Sequence, residues 1–302
     1  MSHLSGGEAL VKSLVREGVE IIFGLPGVQL YGILAARRDE PSIRLIVSRH
    51  EQATTYMADG YARSSGKPGV AFVVPGPGIY NAGGGLSTAY ARSSPVFLIA
   101  GQIPRKTIGK DYGGLHEVND QMEITNPITK WQKRVLRPSE VPAATHAALR
   151  QSKSGRSRPV YLEMPPETMV EKEEVELLEP SIIDPIHPDT ESLKEALREI
   201  RKSHRPIIYV GGGIARSNAE LEFVEFVERV GIPVITSAGG KGVISDKNPL
   251  SMGSSLSSFG ELKEKIERSD LILAIGTRFS LRNPISEKTR VIHLDVDPLS
   301  LI

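Results

Sequence analysis

The sequence predicts an α/β protein of two doubly wound domains, each with a mainly parallel sheet covered by helices. Two observations predict it: short, continuous apolar runs of the kind found in strands buried on both faces, and helical apolar stripes between those runs. A third observation divides the chain, because an acidic stretch followed by prolines interrupts the alternation near residue 171. The expected organisation is a first domain over 1–170, a linker over 171–188 and a second domain over 189–302.

The elements follow in order. Ala9, Leu10, Ser13 and Leu14 make a helical stripe with Gly18 as its stop. Ile21-Ile22-Phe23 is a strand that turns at Gly24-Leu25-Pro26-Gly27, and Leu30, Ile33 and Leu34 form the next helical face. Ile43 to Val47 alternates and is β-branched, a strand, after which Ala53, Tyr56, Met57 and Tyr61 recur at helical spacing. Strands are expected again at 69–74, 96–100 and 159–163. Glu171-Lys172-Glu173-Glu174-Val175-Glu176, with Pro180, Pro185 and Pro188 behind it, is too acidic and too restricted to pack a core, and reads as the linker. Beyond it Leu193, Ala196, Leu197 and Ile200 form a helical face, and strands are expected at 206–210, 233–236, 271–275 and 290–294. Glycine loops lie at 211–213 and 239–242, with helices around 221–227 and 262–266.

Composition narrows the function. Lys plus Arg number 37 against 36 for Asp plus Glu, so no basic footprint for nucleic acid or anionic lipid is present. With no cysteine there is no disulfide, zinc-thiolate site or thiol nucleophile. The amino terminus carries no charged-then-apolar signal pattern and no apolar run approaches the ~20 residues of a membrane span, so a soluble cytoplasmic protein is expected.

Glu51 is the residue to which the first domain points. It falls where the strand ending at Val47 gives way to a helix, at the carboxyl rim of the sheet where open α/β folds bind ligands. A carboxylate in the first turn of a helix is also simply favoured by the helix dipole. The order Phe23-Gly24-Leu25-Pro26-Gly27, Arg49-His50-Glu51-Gln52, Met57-Ala58-Asp59-Gly60-Tyr61-Ala62-Arg63 and Gly76-Pro77-Gly78-Ile79-Tyr80-Asn81 resembles the acetolactate synthase and oxalyl-CoA decarboxylase group of thiamine-diphosphate enzymes. Pro127-Ile128-Thr129-Lys130, Arg158-Pro159-Val160-Tyr161-Leu162 and His293-Leu294-Asp295-Val296-Asp297-Pro298 continue the resemblance in family order over nearly the whole chain.

That resemblance implies a pyrimidine-binding domain followed by a central domain. In register, Glu51 matches the glutamate that hydrogen-bonds N1′ of the cofactor's aminopyrimidine and favours the imino form that deprotonates the thiazolium. Pro26, Gly27, Val74, Pro77 and Asn81 match positions beside the same ring. At Leu115-His116-Glu117-Val118-Asn119-Asp120-Gln121-Met122 the chain departs from the family: the usual active-site glutamine is missing, either Glu117 or His116 stands in its place, and Asp120-Gln121-Met122 leans toward the acyl-CoA branch. The implied substrate is a 2-keto acid or an acyl-CoA. Asp59-Gly60 with Asn81 superficially resembles a diphosphate-magnesium pattern, but Asp59 reads as a helix-face residue. FAD or ADP in the central domain is left open, because Gly211-Gly212-Gly213 lacks the full dinucleotide spacing and Gly276-Thr277-Arg278-Phe279-Ser280 lacks the acidic continuation of the FAD enzymes.

No stretch matches the family's diphosphate-binding domain, which holds Mg²⁺. The resemblance therefore implies that a longer chain or a separate subunit supplies it, in a dimer or tetramer, and that these 302 residues alone bind thiamine diphosphate weakly and turn over nothing. A non-catalytic binding or regulatory module that retains the fold, with or without a nucleotide site, is the alternative.

Overall fold

A computed structural model of the chain describes residues 1–180, 182–183, 186–254, 260–279 and 285–301, and everything below concerns these. The chain divides into two compact units, Met1–Asp184 and Pro185–Ile302.

The first unit runs β1 (Ser2–Ser5), α1 (Gly6–Arg16), β2 (Ile21–Gly24), α2 (Tyr31–Arg38), β3 (Arg44–Val47), α3 (Glu51–Ser65), β4 (Gly69–Val73), α4 (Pro77–Arg92), β5 (Val96–Gly101), α5 (Gln121–Thr125), β6 (Trp131–Arg134), α6 (Val141–Lys153), β7 (Val160–Met164), α7 (Pro166–Val170) and β8 (Lys172–Val175). Among the described residues its main sheet has six strands in the order β3-β2-β4-β5-β7-β6, every pairing parallel. Alternate strand residues face opposite layers. Ile22, Val70, Phe72, Phe97, Ile99 and Leu162 share a core with Leu10, Leu14, Ile33 and Ala148 of α1, α2 and α6. Phe23, Ala71, Val73, Leu98 and Tyr161 share the other with Ala58 of α3 and Ile79, Ala82 and Leu86 of α4. Period-2 alternation thus sends each strand into two helical layers, which is the expected doubly wound arrangement.

The α3–α4 layer is tightly registered. Thr55 donates from Oγ1 to the carbonyl of Ala82 at 2.7 Å, and a Cβ on Gly85 would overlap Thr55, so the two backbones approach where α4 offers no side chain. Helix α3 begins at His50, whose ring accepts from the amide of Gln52 at 3.2 Å, and ends at Gly66 with φ +72°.

The acidic stretch expected to open the linker differs from expectation. Lys172–Val175 forms β8, antiparallel to β1 with Ser2 opposite Val175, and Val175 is buried. An edge pairing draws on backbone hydrogen bonds, so Glu174 is tolerated facing outward and Glu173, partly buried, where it finds donors. Glu173 accepts from Arg137 Nε and from the Ser139 amide, both at 3.1 Å. The division of the chain falls later, inside the proline-bearing part of the stretch.

The second unit runs α8 (Thr190–Lys202), β9 (Pro206–Val210), α9 (Gly213–Arg216), α10 (Glu220–Val230), β10 (Val234–Thr236), β11 (Ser251–Ser254), α11 (Glu261–Glu267), β12 (Leu271–Ile275) and β13 (Arg290–Leu294). Its sheet is parallel in the order β11-β10-β9-β12-β13. Asp270 ties β9 to β12 by accepting from the Ser203 hydroxyl and from the amides of His204 (2.8 Å) and Arg205 (2.9 Å). Some burial opposes its charge, but those donors outweigh it and hold its carboxyl down at about 2.

Candidate functional site

Three loops leave the carboxyl ends of adjacent strands β2, β3 and β4, and each carries part of the predicted site. Between β2 and β4 the chain order reverses direction across the sheet, the position at which open α/β sheets form a crevice.

Glu51 opens α3 directly after β3 and is only 9% exposed. Its Oε2 accepts from Asn81 Nδ2 at 2.9 Å. Asn81 lies one turn into α4, thirty residues away in sequence, so the α3–α4 packing delivers the pairing. The neighbouring Thr54 hydroxyl donates to the Glu51 carbonyl at 2.6 Å and is fully buried, which fixes the first turn of α3.

The turn after β2 meets the segment after β4. A Cβ placed on Gly27 would overlap Cγ1 of Val74, and one on Gly78 would lie 2.8 Å from Cγ2 of the same valine. Val74 is thereby wedged between Gly27 and the start of α4, while Pro26 and Pro77 are exposed beside it. Pro77 is the first residue of α4, where its missing amide hydrogen costs nothing.

His116 reaches the same helix end through its backbone. Gly76 has φ +57°, and a Cβ there would stand 2.5 Å from the His116 carbonyl oxygen. His116 itself has φ +68°, uncommon outside glycine, and its buried Nδ1 has no hydrogen-bond partner. Glu117 is turned instead toward its own loop. Its carboxylate accepts from the amides of Gly114 at 2.7 Å and Tyr112 at 3.3 Å, and those amides hold it below the usual carboxylate range. Of His116 and Glu117, the two residues the resemblance offers for the missing glutamine, His116 is therefore the one left with an unpaired group.

Sequence reasoning did not single out Gln29. It is 8% exposed, its buried Oε1 has no partner, and it lines a cavity of about 340 Å³ with Val28, Ile103, Pro104, Tyr112 and Leu115. Nor was the depth of Asp59 visible: it lies on α3 as expected but is 4% exposed, with one carboxylate oxygen unpartnered and Arg63 at 3.8 Å.

In the second unit the glycine loops meet one another. A Cβ on Gly211 or Gly213 would strike Gly276, and one on Gly212 would lie 2.6 Å from the Gly239 carbonyl. Backbone packing alone accounts for these glycines. Ser280, the last residue of the segment read against the FAD enzymes, lies outside the described residues.

Comparison with known proteins agrees with this architecture. Residues 4–124 match the family described as thiamine pyrophosphate enzyme, N-terminal TPP binding domain, and residues 193–301 match thiamine pyrophosphate enzyme, central domain. The chain belongs to the thiamine pyrophosphate enzyme family. The acetolactate synthase large subunit of Buchnera aphidicola subsp. Schizaphis graminum is 37% identical over 314 residues, covering 100% of this chain and 54% of that protein. A probable acetolactate synthase large subunit of Methanocaldococcus jannaschii is 35% identical over 311 residues, 99% of this chain and 52% of that protein. A probable 2-ketoarginine decarboxylase of Pseudomonas aeruginosa is 35% identical over 303 residues, 98% of this chain and 53% of that protein. The chain thus spans about half the length of these relatives. None of its described helices is long and apolar enough to cross a membrane.

Proposed function

We propose that this chain is the pyrimidine-binding and central part of a thiamine-diphosphate-dependent enzyme acting on a 2-keto acid, with Glu51 as the residue that activates the cofactor. One observation carries the reading: a nearly buried glutamate at the carboxyl end of the sheet, held by Asn81 at 2.9 Å and opening the helix that packs on α4. The residues fit the aminopyrimidine of thiamine diphosphate. Gly27 and Val74 make a wall where a Cβ would intrude, Glu51 offers a carboxyl to a ring nitrogen, and the orphaned Nδ1 of His116 lies in the segment resting on Gly76. Bound there, the cofactor supplies the carbon nucleophile and electron sink that decarboxylation of a 2-keto acid requires.

The chain's own part is placement and proton handling. Glu51 holds or releases a proton at Oε1 or Oε2, and burial makes its hydrogen bond to a ring nitrogen stronger than it would be in water. Asn81, as a neutral donor, orients that carboxyl whether or not it is ionised. Val74 and Gly27 exclude water from one side. A 2-keto acid is preferred to an acyl-CoA, because the relatives are named as acetolactate synthases and a 2-ketoarginine decarboxylase. Asp120 and Gln121, the residues that lean toward the acyl-CoA branch, are engaged in structural hydrogen bonds.

The diphosphate and its Mg²⁺ fall to a further domain or subunit in this proposal, as the greater length of the relatives supports, and the assembly is an oligomer in the cytoplasm. Glu51→Gln keeps the shape and the Asn81 hydrogen bond but removes the ionisable group. In the holoenzyme containing this chain, assayed with pyruvate and longer 2-keto acids, it is expected to lower kcat by roughly 10²-fold or more. Undiminished turnover in Glu51→Gln and Glu51→Ala would sink the catalytic reading and favour the non-catalytic module.

A further inference from the structure

We infer that Asp120, Arg134 and Glu163 form a latch, rooted on the buried Glu163, that positions the 111–120 segment against the amino-terminal turn of α4, with Arg134 as its central positioning residue. The inference rests on the proposed function for its meaning, since the latched segment carries His116, but its geometry stands by itself.

Glu163 occupies the middle of β7, paired with Ala100 of β5 on one side and Arg134 of β6 on the other, and is fully buried. A carboxylate there needs donors on both oxygens, because an uncompensated buried charge is strongly destabilising. Three donors are present. Arg134 Nε and Gln102 Nε2 (3.1 Å) reach Oε1, and the Tyr161 hydroxyl reaches Oε2 at 2.6 Å. Burial first, and the charge of Glu163 second, push the Tyr161 hydroxyl well above its ordinary value, so it remains a donor.

Arg134 extends beyond Glu163. Its guanidinium donates at the other end to Asp120 Oδ1 at 2.9 Å. Burial opposes its charge, yet the hydrogen bond and charge of Glu163, with Asp120, hold its pKa above the ordinary arginine value. A planar guanidinium held by Glu163 cannot follow a wandering partner, so the second carboxylate must come to it. Asp120 also caps α5, accepting from the Met122 amide at 3.0 Å. Next to it, buried Gln121 donates to the Gly101 carbonyl at 2.9 Å and accepts from the Gly76 amide at 3.4 Å. The segment is thus fixed at its carboxyl end to β5 and β6, and through Gly76 to the turn on which the His116 carbonyl rests.

Such a network is weak evidence for stability, because buried ion pairs often do no better than apolar packing, and the role inferred here is placement. The test separates the two. Asp120→Asn keeps the helix cap and removes the charge of the Arg134 pair while leaving Glu163 with its three donors, so the fold is expected to melt within a few degrees of wild type. Hydrogen exchange in peptides covering 111–119 is expected to accelerate about tenfold, with β4, β5 and β7 unchanged. Arg134→Lys, which gathers its donors at one rotatable point instead of along a rigid planar fork, should loosen the same peptides. In the holoenzyme with pyruvate, Asp120→Asn should lower kcat about tenfold or more while KM stays near wild type, since misplacement acts on the chemical step. Exchange within about twofold of wild type in both variants would overturn the latch. Faster exchange with unaltered kcat would overturn its positioning role. If instead Glu51→Gln remains fully active, it is the proposed function that fails, and the exchange result still decides the latch.

Discussion

Gly76→Ala is expected to be among the most damaging single-methyl additions in the first unit. Two costs combine. The residue sits at φ +57°, ψ −111°, a conformation that L-residues rarely adopt and that costs on the order of 1–3 kcal/mol. The new Cβ would also stand 2.5 Å from the His116 carbonyl oxygen and 3.1 Å from its carbon, which are backbone atoms that cannot rotate away. Relieving that overlap by shifting the segment costs roughly another 1–3 kcal/mol. Together they amount to about 2–6 kcal/mol, or roughly 4–24 °C in Tm for a unit of this size. Gly83→Ala, within the same helix, is the control: nothing lies within 4 Å of its Cβ position, so the alanine should stabilise by about 0.5–1 kcal/mol through helix propensity. The single tryptophan, Trp131, lies on β6, so its fluorescence during guanidinium unfolding reports the first unit separately from the second. A Gly76→Ala midpoint within about 0.5 kcal/mol of wild type, or a Gly83→Ala loss as large as that of Gly76→Ala, would refute the reasoning.

Thr55→Val should destabilise the first unit by about 1–2 kcal/mol, because it removes a buried 2.7 Å hydrogen bond to the Ala82 carbonyl while keeping the shape; denaturant midpoints check this. Asp270 is held down at about 2, below its unfolded value, so its contribution is complete above the ordinary aspartate range and disappears as pH falls through about 2. Asp270→Asn should therefore flatten the acid limb of the second unit's stability profile, measured by circular dichroism between pH 2 and 6. Glu117 is likewise lowered by the amides of its loop, so the 112–117 turn should loosen as pH falls below the carboxylate range. Glu117→Gln should abolish that pH dependence in hydrogen exchange.

Much of the fold was legible because its signals are local. The strands at 69–73 and 96–101 are continuous apolar runs, that at 160–164 is apolar but for Glu163, and Glu51 follows from one strand ending and one helical stripe beginning. What was not legible depends on partners far apart in sequence. β8 is acidic and lacks an apolar pattern, and only its pairing with β1 makes it a strand. β6 reads Trp131-Gln132-Lys133-Arg134, a polar, half-buried edge strand that shows itself only in its pairing with β7. The Asn81 contact to Glu51 requires the helix packing that the glycines of α4 permit. One signal was available and went unread: Glu163 is a lone acid inside the apolar strand Val160-Tyr161-Leu162-Glu163-Met164, and a charge in such a strand calls for a buried cation.

The amino terminus of α4 is where these separate facts meet. Gly76 receives the His116 carbonyl, Gly78 receives Val74 and through it Gly27, and Asn81 one turn later receives Glu51. Two of the three meetings are approaches to positions without a side chain, set by strand and helix geometry rather than by flexible groups. The third is a single hydrogen bond between a carboxylate and an amide. Backbone placed this closely has few alternatives, so the walls beside Glu51 are rigid, and in the proposed function Glu51 is the group asked to exchange a proton. A substitution that shifts α4 by a fraction of an ångström should therefore disturb all three contacts together, whereas one at Glu51 should alter chemistry and leave the scaffold intact.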